Sequence, residues 1–285
     1  MLGSIAGDIC GAPWEGGSCP KEQLTLFSLE AGFTDDTVCT IAIASALLDD
    51  QDPAQMLRAW AAKYPGRGYG TSFHVWAHSQ AGPYGSYSNG GSMRVSPVGL
   101  LAGSLDDCDA WAEITAAVTH NHLEGLRGAC AIAGAVWLAR MGYSSDQMRQ
   151  ILSTRYGYDL RPSVGDLIND YRFSMLAAET VPRAIICALE ASSWDDAIRN
   201  AIAVGGDSDT MACMAGGIAE AKFGLPQQHA IVALAYLPEE MQQVLAELYT
   251  RAGMRAPWLE PEQPDTPLQP QRRSLLARMR GWLGK

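Results

Sequence analysis

The apolar positions of this chain recur at helical spacing. Leu, Ile, Val, Ala and Met return every three to four residues through 34–48, 110–119, 126–141, 194–204, 210–223 and 238–252, and these stretches are rich in the strong helix formers Ala and Leu. No run sustains the two-residue alternation of β-branched or aromatic with polar residues that a half-buried strand shows, so no sheet is expected. The pattern predicts an all-α fold, a single compact multi-helix domain. Two stretches stand apart: Val38-Cys39-Thr40-Ile41-Ala42-Ile43-Ala44 and Met211-Ala212-Cys213-Met214-Ala215-Gly216-Gly217 are small and apolar nearly all round. Helices of that kind belong in the core, and these two are expected to form a buried central pair with the others around it.

Prolines at 257, 261, 264, 267 and 270 break the helical pattern and mark a linker. The expected organisation is a domain over 1–257 followed by a Pro-rich linker and basic tail over 258–285. In that tail Leu275, Leu276, Met279, Trp282 and Leu283 fall on one side of a short candidate helix that carries Arg272, Arg273, Arg278, Arg280 and Lys285 and no acid. Such a segment suits a membrane surface or a protein contact; a frayed, solvated end is the plainer alternative.

Composition narrows the class. With 285 residues, 47% apolar and 18% charged, the chain has the make-up of an ordinary globular protein. The opening Met1-Leu2-Gly3-Ser4 lacks the basic region of a secretory signal, and the most apolar stretches, 40–48 and 129–139, are too short to span a membrane. Seven cysteines, scattered and with no C-x-x-C, argue against a disulfide framework or structural zinc and favour a reducing compartment; a cytoplasmic location is expected. The net charge of −10 disfavours a nucleic-acid groove, and it means that an anionic ligand needs cations in its site.

Two segments share one grammar. Gly32-Phe33-Thr34-Asp35-Asp36-Thr37 and Gly205-Gly206-Asp207-Ser208-Asp209-Thr210 each place two carboxylates and hydroxyls within a turn of a helix start. Either alone is adequately explained as a helix cap with acids suited to the macrodipole. The apolar helices behind them change the weighing, because both acid pairs should then begin at buried or cleft positions. Carboxylates converging there would repel by about 4 kcal/mol per pair at roughly 4 Å and an effective dielectric near 20. Either some are protonated or cations neutralise them. Oxygen ligands without Cys or His favour Mg²⁺, Mn²⁺ or Ca²⁺ over zinc, and Asp209 is placed to bridge two ions.

These blocks, together with Gly3-Ser4-Ile5-Ala6-Gly7-Asp8 and Glu15, Gly85-Ser86-Tyr87-Ser88-Asn89-Gly90-Gly91-Ser92-Met93-Arg94, and Thr119-His120-Asn121-His122, occur in the order seen in the ADP-ribosylglycohydrolase family, which the chain resembles from residue 1 to about 225. The resemblance implies an all-α fold with a dinuclear Mg²⁺ site in a cleft, Mn²⁺ being the alternative ion. It implies Thr34, Asp35, Asp36, Asp207, Asp209 and Thr210 as metal ligands. Glu15 matches the family's mobile acidic residue and, with Asp35 and Asp209, is a catalytic candidate; it lies in Gly11-Ala12-Pro13-Trp14-Glu15-Gly16-Gly17, which suits a movable loop. Ser86, Tyr87, Asn89, Gly90 and Gly91 become candidates for diphosphate and ribose contacts, in a loop able to present backbone N–H groups to an anion. His120 matches a ligand-binding histidine. His120-Asn121-His122-Leu123-Glu124 is not read as a metal motif, because 120, 122 and 124 project together only on a strand and this segment starts a helix. Arg67-Gly68-Tyr69-Gly70 also resembles a family loop.

The implied activity is hydrolysis of an ADP-ribosyl bond to a modified side chain (arginine or serine) or in a related small conjugate, with an ADP-ribosylated protein or small ADP-ribose conjugate as partner. Metal ions would hold ribose hydroxyls and polarise water, with Glu15 the first candidate for proton transfer. Two alternatives remain at this level: a non-catalytic ADP-ribose-binding relative and a metal-dependent phosphoesterase.

Overall fold

Helix starts along the chain are written in capping residues. Thr34, Asp52, Ser104, Ser144, Ser163 and Ser193 each accept a hydrogen bond from a backbone N–H in the first turn that follows, and Ser144 with Gln147 and Ser163 with Asp166 close full capping boxes. The computed structural model describes residues 1–254. Among them the helices are α1 (Leu2–Gly11), α2 (Asp35–Asp49), α3 (Pro53–Lys63), α4 (Thr71–Ala77), α5 (Ser96–Leu101), α6 (Leu105–Ala117), α7 (Leu123–Arg140), α8 (Ser145–Tyr156), α9 (Val164–Asn169), α10 (Ala177–Glu190), α11 (Trp194–Val204), α12 (Ser208–Phe223), α13 (Gln227–Ala235) and α14 (Glu239–Ala252).

The fold is all-α, as the periodicity predicts. Extended pairing among the described residues is confined to two isolated antiparallel bridges, Gly17 with Gly206 and Ser88 with Leu176. No described helix is long and apolar enough to cross a membrane. The domain boundary near 257 and the basic tail lie outside the described residues.

The centre differs from the expected pair. Both expected helices, α2 and α12, are buried along their length, but the partner that α12 packs on most closely is α1. Every residue of α1 is buried. The two helices run antiparallel on a seam of small residues: Gly3 faces Gly216 and Glu220, Gly7 faces Ala212, and Gly11 faces Ser208 and Asp209. The approach is so close that a Cβ at Gly7 would stand 2.1 Å from the Ala212 carbonyl oxygen. Helix α1 lies outside the stretches that periodicity marks: it has only ten residues, and its three glycines each lower its intrinsic propensity by about 1 kcal/mol. Its consequence for function is direct. The antiparallel seam brings the end of α1, with Asp8 and the loop that carries Glu15, to the start of α12, with Asp207 and Asp209.

Candidate functional site

Asp8 is the only acid in α1 and is fully buried. It reaches across to the start of α2. Its Oδ2 accepts from the backbone N–H of Thr34 (3.0 Å) and Thr37 (3.1 Å) and from the Thr37 hydroxyl (2.5 Å), and its Oδ1 accepts from the Thr34 hydroxyl (2.8 Å). These bonds satisfy donors that the first turn of α2 leaves open, and they fix the Thr34-Asp35-Asp36 segment against α1. Thr34 does cap its helix, accepting from the Asp36 N–H at 3.2 Å. Asp207 does not, although it occupies the cap position of α12: its side chain makes no cap bond and accepts instead from Asn89 Nδ2 at 2.6 Å. An acid withheld from capping and turned toward other acids is the first geometric sign of a site.

Carboxylate oxygens of Asp8, Asp36 and Asp209 lie within 4.8 Å of one another, and so do those of Glu15, Asp207 and Asp209. Asp209 belongs to both groups, as a bridging residue must. Asp8, Asp36, Asp207 and Asp209 are all buried, and Glu15 is exposed at the edge. Burial raises the pKa of every one of these five carboxyls; for Asp36 and Asp209 the neighbouring acids push it further, well above the ordinary range. Asp36 Oδ1 is buried with no hydrogen-bond partner, while its Oδ2 accepts from the Thr210 hydroxyl at 3.2 Å. A buried carboxylate oxygen left open, in a cluster of carboxylates and hydroxyls whose charges repel, fits a hard divalent cation.

Of the residues singled out from the sequence, Asp36, Asp207 and Asp209 stand together with Glu15 at the rim, and the Thr34 and Thr210 hydroxyls touch the cluster. Asp35 is placed differently. It belongs to neither group of three. Its N–H donates to the Arg67 carbonyl oxygen at 2.7 Å and its Oδ1 faces Gly68, so the Arg67-Gly68-Tyr69-Gly70 loop lies beside it. Burial and the nearby Asp8 push its carboxyl up to about 7. Asp35 lies near enough to Asp8, Asp207 and Glu15 for their charges to raise its pKa, and Asp8, a residue outside the ligand set that the resemblance implies, stands in the first group. The available signal was a lone acid inside the apolar run Leu2 to Cys10, since an unpaired Asp is almost never buried without a task.

The Glu15 loop is tied to the start of α12. The Gly16 N–H donates to the Gly206 carbonyl (2.8 Å) and the Gly206 N–H to the Gly17 carbonyl (2.9 Å). Gly206 sits at φ 96°, which suits glycine.

The glycine-rich loop lies alongside. Gly85 N–H donates to Asn121 Oδ1 (2.8 Å), Ser86 N–H to the Thr119 carbonyl (3.2 Å) and Asn89 N–H to the Met175 carbonyl (2.8 Å). Residues 89–91 form a short 3₁₀ turn. Gly90 and Gly91 pack on His120, where a Cβ at Gly91 would meet the His120 Cβ at 3.0 Å. Tyr87 is exposed and its ring lies 5.4 Å from that of His122. His120 is buried, with Nδ1 2.8 Å from the Thr119 hydroxyl and Nε2 3.0 Å from the Ser88 hydroxyl. His122 caps α7, accepting from the Glu124 N–H at 3.1 Å, which is a structural task. One residue that the sequence reading left without a role is Arg94, wholly buried behind this loop.

Residues 1–258 match the family model described as ADP-ribosylglycohydrolase. Among similar proteins are the human (Homo sapiens) ADP-ribosylhydrolase ARH3, 30% identical with 74% of each chain covered, and its mouse (Mus musculus) counterpart, 28% identical with 85% of each covered. An uncharacterized protein of Archaeoglobus fulgidus is 28% identical over 88% of this chain and 96% of its own. A solved structure titled ADP-ribosylglycohydrolase-related protein complex shares the fold, with a TM-score of 0.67 at 24% identity, over 88% of this chain and 95% of that one.

Proposed function

The chain belongs to the ADP-ribosylglycohydrolase family, and from that premise we propose that it is a divalent-metal-dependent hydrolase that releases ADP-ribose from a modified arginine or serine side chain or a related ADP-ribosyl conjugate. The observation that carries this reading is the convergence of Asp8, Asp36 and Asp209 with Glu15 and Asp207 around one shared carboxylate. Asp36, Asp207 and Asp209, with Asp8 and Asp35 beside them and the hydroxyls of Thr34 and Thr210, would hold the ions, with Mg²⁺ or Mn²⁺ as the cations that best suit an all-oxygen set. When bound, such ions supply Lewis-acid polarisation and offset the charge of the diphosphate.

The remaining work falls to the chain's own side chains. The glycine-rich loop, with Ser86, Asn89, Gly90 and Gly91, presents polar groups to the diphosphate and ribose, and the exposed ring of Tyr87 offers a flat face for the base. Water adds to the anomeric carbon as the bond to the leaving nitrogen or oxygen breaks through an oxocarbenium-like state. The water's proton passes to a carboxylate, and the leaving group must be protonated. Glu15 is the proton carrier of choice because it alone in the cluster is open to solvent, on a loop fastened at only a few points. Asp35 is the second candidate.

The test is a panel of defined conjugates (arginine-linked, serine-linked, acetyl ester and polymer) incubated with the chain and Mg²⁺ or Mn²⁺, reading free ADP-ribose. Its release from at least one linkage, and its suppression by EDTA, is the expected result. Release of AMP or phosphate instead would point to a phosphoesterase, and tight ADP-ribose binding without product to a binding protein.

A further inference from the structure

Arg94 is buried at 0% exposure, and its hydrogen bonds go to neutral oxygens: Nη2 donates to the carbonyls of Thr115 (3.1 Å) and Ala116 (3.4 Å) and to the Thr119 hydroxyl (2.8 Å). From Thr119 a continuous line of polar contacts leads outward. The Thr119 hydroxyl lies 2.8 Å from His120 Nδ1, His120 Nε2 lies 3.0 Å from the Ser88 hydroxyl, and that hydroxyl lies 2.9 Å from the Ser86 hydroxyl. Thr119 and His120 are buried, and Ser88 and Ser86 are half-buried beside the candidate ligand loop. The line therefore runs from the core to the cleft.

Donor and acceptor chemistry gives it a direction. A guanidinium has only donors, so Thr119 Oγ must accept from Arg94. Its own proton then goes to the better-placed acceptor, His120 Nδ1 at 2.8 Å, rather than to the Ala116 carbonyl at 3.5 Å. His120 must be neutral to accept there, and burial together with the charge of Arg94 holds its pKa well below the ordinary value. A neutral imidazole that accepts at Nδ1 carries its proton on Nε2 and donates it to Ser88. The Ser88 hydroxyl, accepting there, has its own proton left to give, and the Ser86 hydroxyl at 2.9 Å is the acceptor within its reach, although that pair by itself fits either direction. Ser86 Oγ also receives the Ser88 N–H at 3.3 Å, which uses both of its lone pairs and leaves its proton directed away from the chain of bonds.

We infer that Arg94 is a positioning residue that sets the polarity of the Thr119–His120–Ser88–Ser86 relay, so that Ser86 meets an anionic oxygen, a phosphate of the ADP-ribosyl ligand, as a proton donor. The inference about the ligand rests on the proposed function; the inference about relay direction does not.

The experiment separates the two. In the full chain labelled with ¹⁵N-histidine, long-range ¹H–¹⁵N spectra report the tautomer of His120, its signals identified by their loss in His120→Asn. The Nε2–H tautomer is expected without any ligand, and the Nδ1–H tautomer would overturn the proposal. ADP-ribose binding in the presence of Mg²⁺ is then measured by calorimetry. Arg94 itself is a poor target, because its loss would open a cavity and take a donor from the buried Thr115 carbonyl. Thr119→Val, of nearly the same shape, should remove the tautomer preference and weaken ADP-ribose by about tenfold. Thr119→Ser should restore both. Ser86→Ala should weaken binding to a similar extent and add little to Thr119→Val, because both break one relay; full additivity would count against it. Failure of the wild-type chain to bind ADP-ribose would sink the ligand assignment, while the tautomer of the free protein would still decide the relay.

Discussion

Asn89 Nδ2 donates to Asp207 Oδ2 across 2.6 Å, joining the glycine-rich loop to the acid cluster over 118 residues of chain. The bond engages one oxygen of Asp207 and turns the carboxylate toward Glu15 and Asp209. It also couples the two halves of the proposed site, so that the glycine-rich loop and the acids proposed to hold ions share one anchor.

Asn89→Ala should therefore weaken divalent-ion binding by about 10- to 100-fold, as loss of a partner that orients a metal ligand generally does. Mn²⁺ titration followed by electron paramagnetic resonance measures this directly. An unchanged affinity would mean that Asp207 orients itself.

Asp209→Asn removes the carboxylate common to both groups of three. Turnover should fall by more than about 100-fold, while the metal-free protein should melt at a higher temperature, because the repulsion that raises its neighbours' pKa values is relieved. Calorimetric melting in EDTA checks the second half. A sharply lower melting temperature would show that Asp209 is chiefly structural.

The pH dependence of metal-free stability follows from the same charges. Asp35 is pushed up to about 7 in the fold, against an ordinary carboxylate when unfolded. Between those values the folded state binds more protons, so stability must fall as pH rises through this window. His120 acts oppositely: its lowered pKa means that stability is lost as pH falls below about 6.5, the unfolded value. The EDTA-treated chain should thus gain stability on going from pH 8 to pH 6.5. Below that the gain should flatten in the wild type more than in His120→Asn. Urea unfolding across the range is the measurement. Saturating Mg²⁺ should reverse the upper limb, since ions bind the deprotonated acids.

Gly7→Ala tests the α1–α12 seam. The added methyl would sit 2.1 Å from the Ala212 carbonyl oxygen, a backbone atom that cannot step aside without parting the helices. A loss of about 3 kcal/mol by chemical denaturation is expected. Because the same seam sets Asp8 and the Glu15 loop against Asp207 and Asp209, ion affinity should fall with it.

What the sequence determined by itself was local. Apolar spacing bounded by Ser193 and Gly205 marks 194–204, the observed span of α11, and the paired acids ahead of two core-like helices point to cations before any fold is known. Those signals are legible because capping, helical period and like-charge repulsion act over a few residues. The tertiary structure decided which acids meet. Helix α1 is short and rich in glycine, so its helical signal is weak; only its close antiparallel approach to α12 carries Asp8 to Asp36 and Asp209, with Asp35 beside the Arg67 loop. Likewise nothing in the spacing of Ser86, Ser88, Arg94, Thr119 and His120 announces a single line of hydrogen bonds. Contacts between residues so far apart along the chain depend on how whole helices pack, and packing is set by shape summed over the entire interface rather than by any one segment.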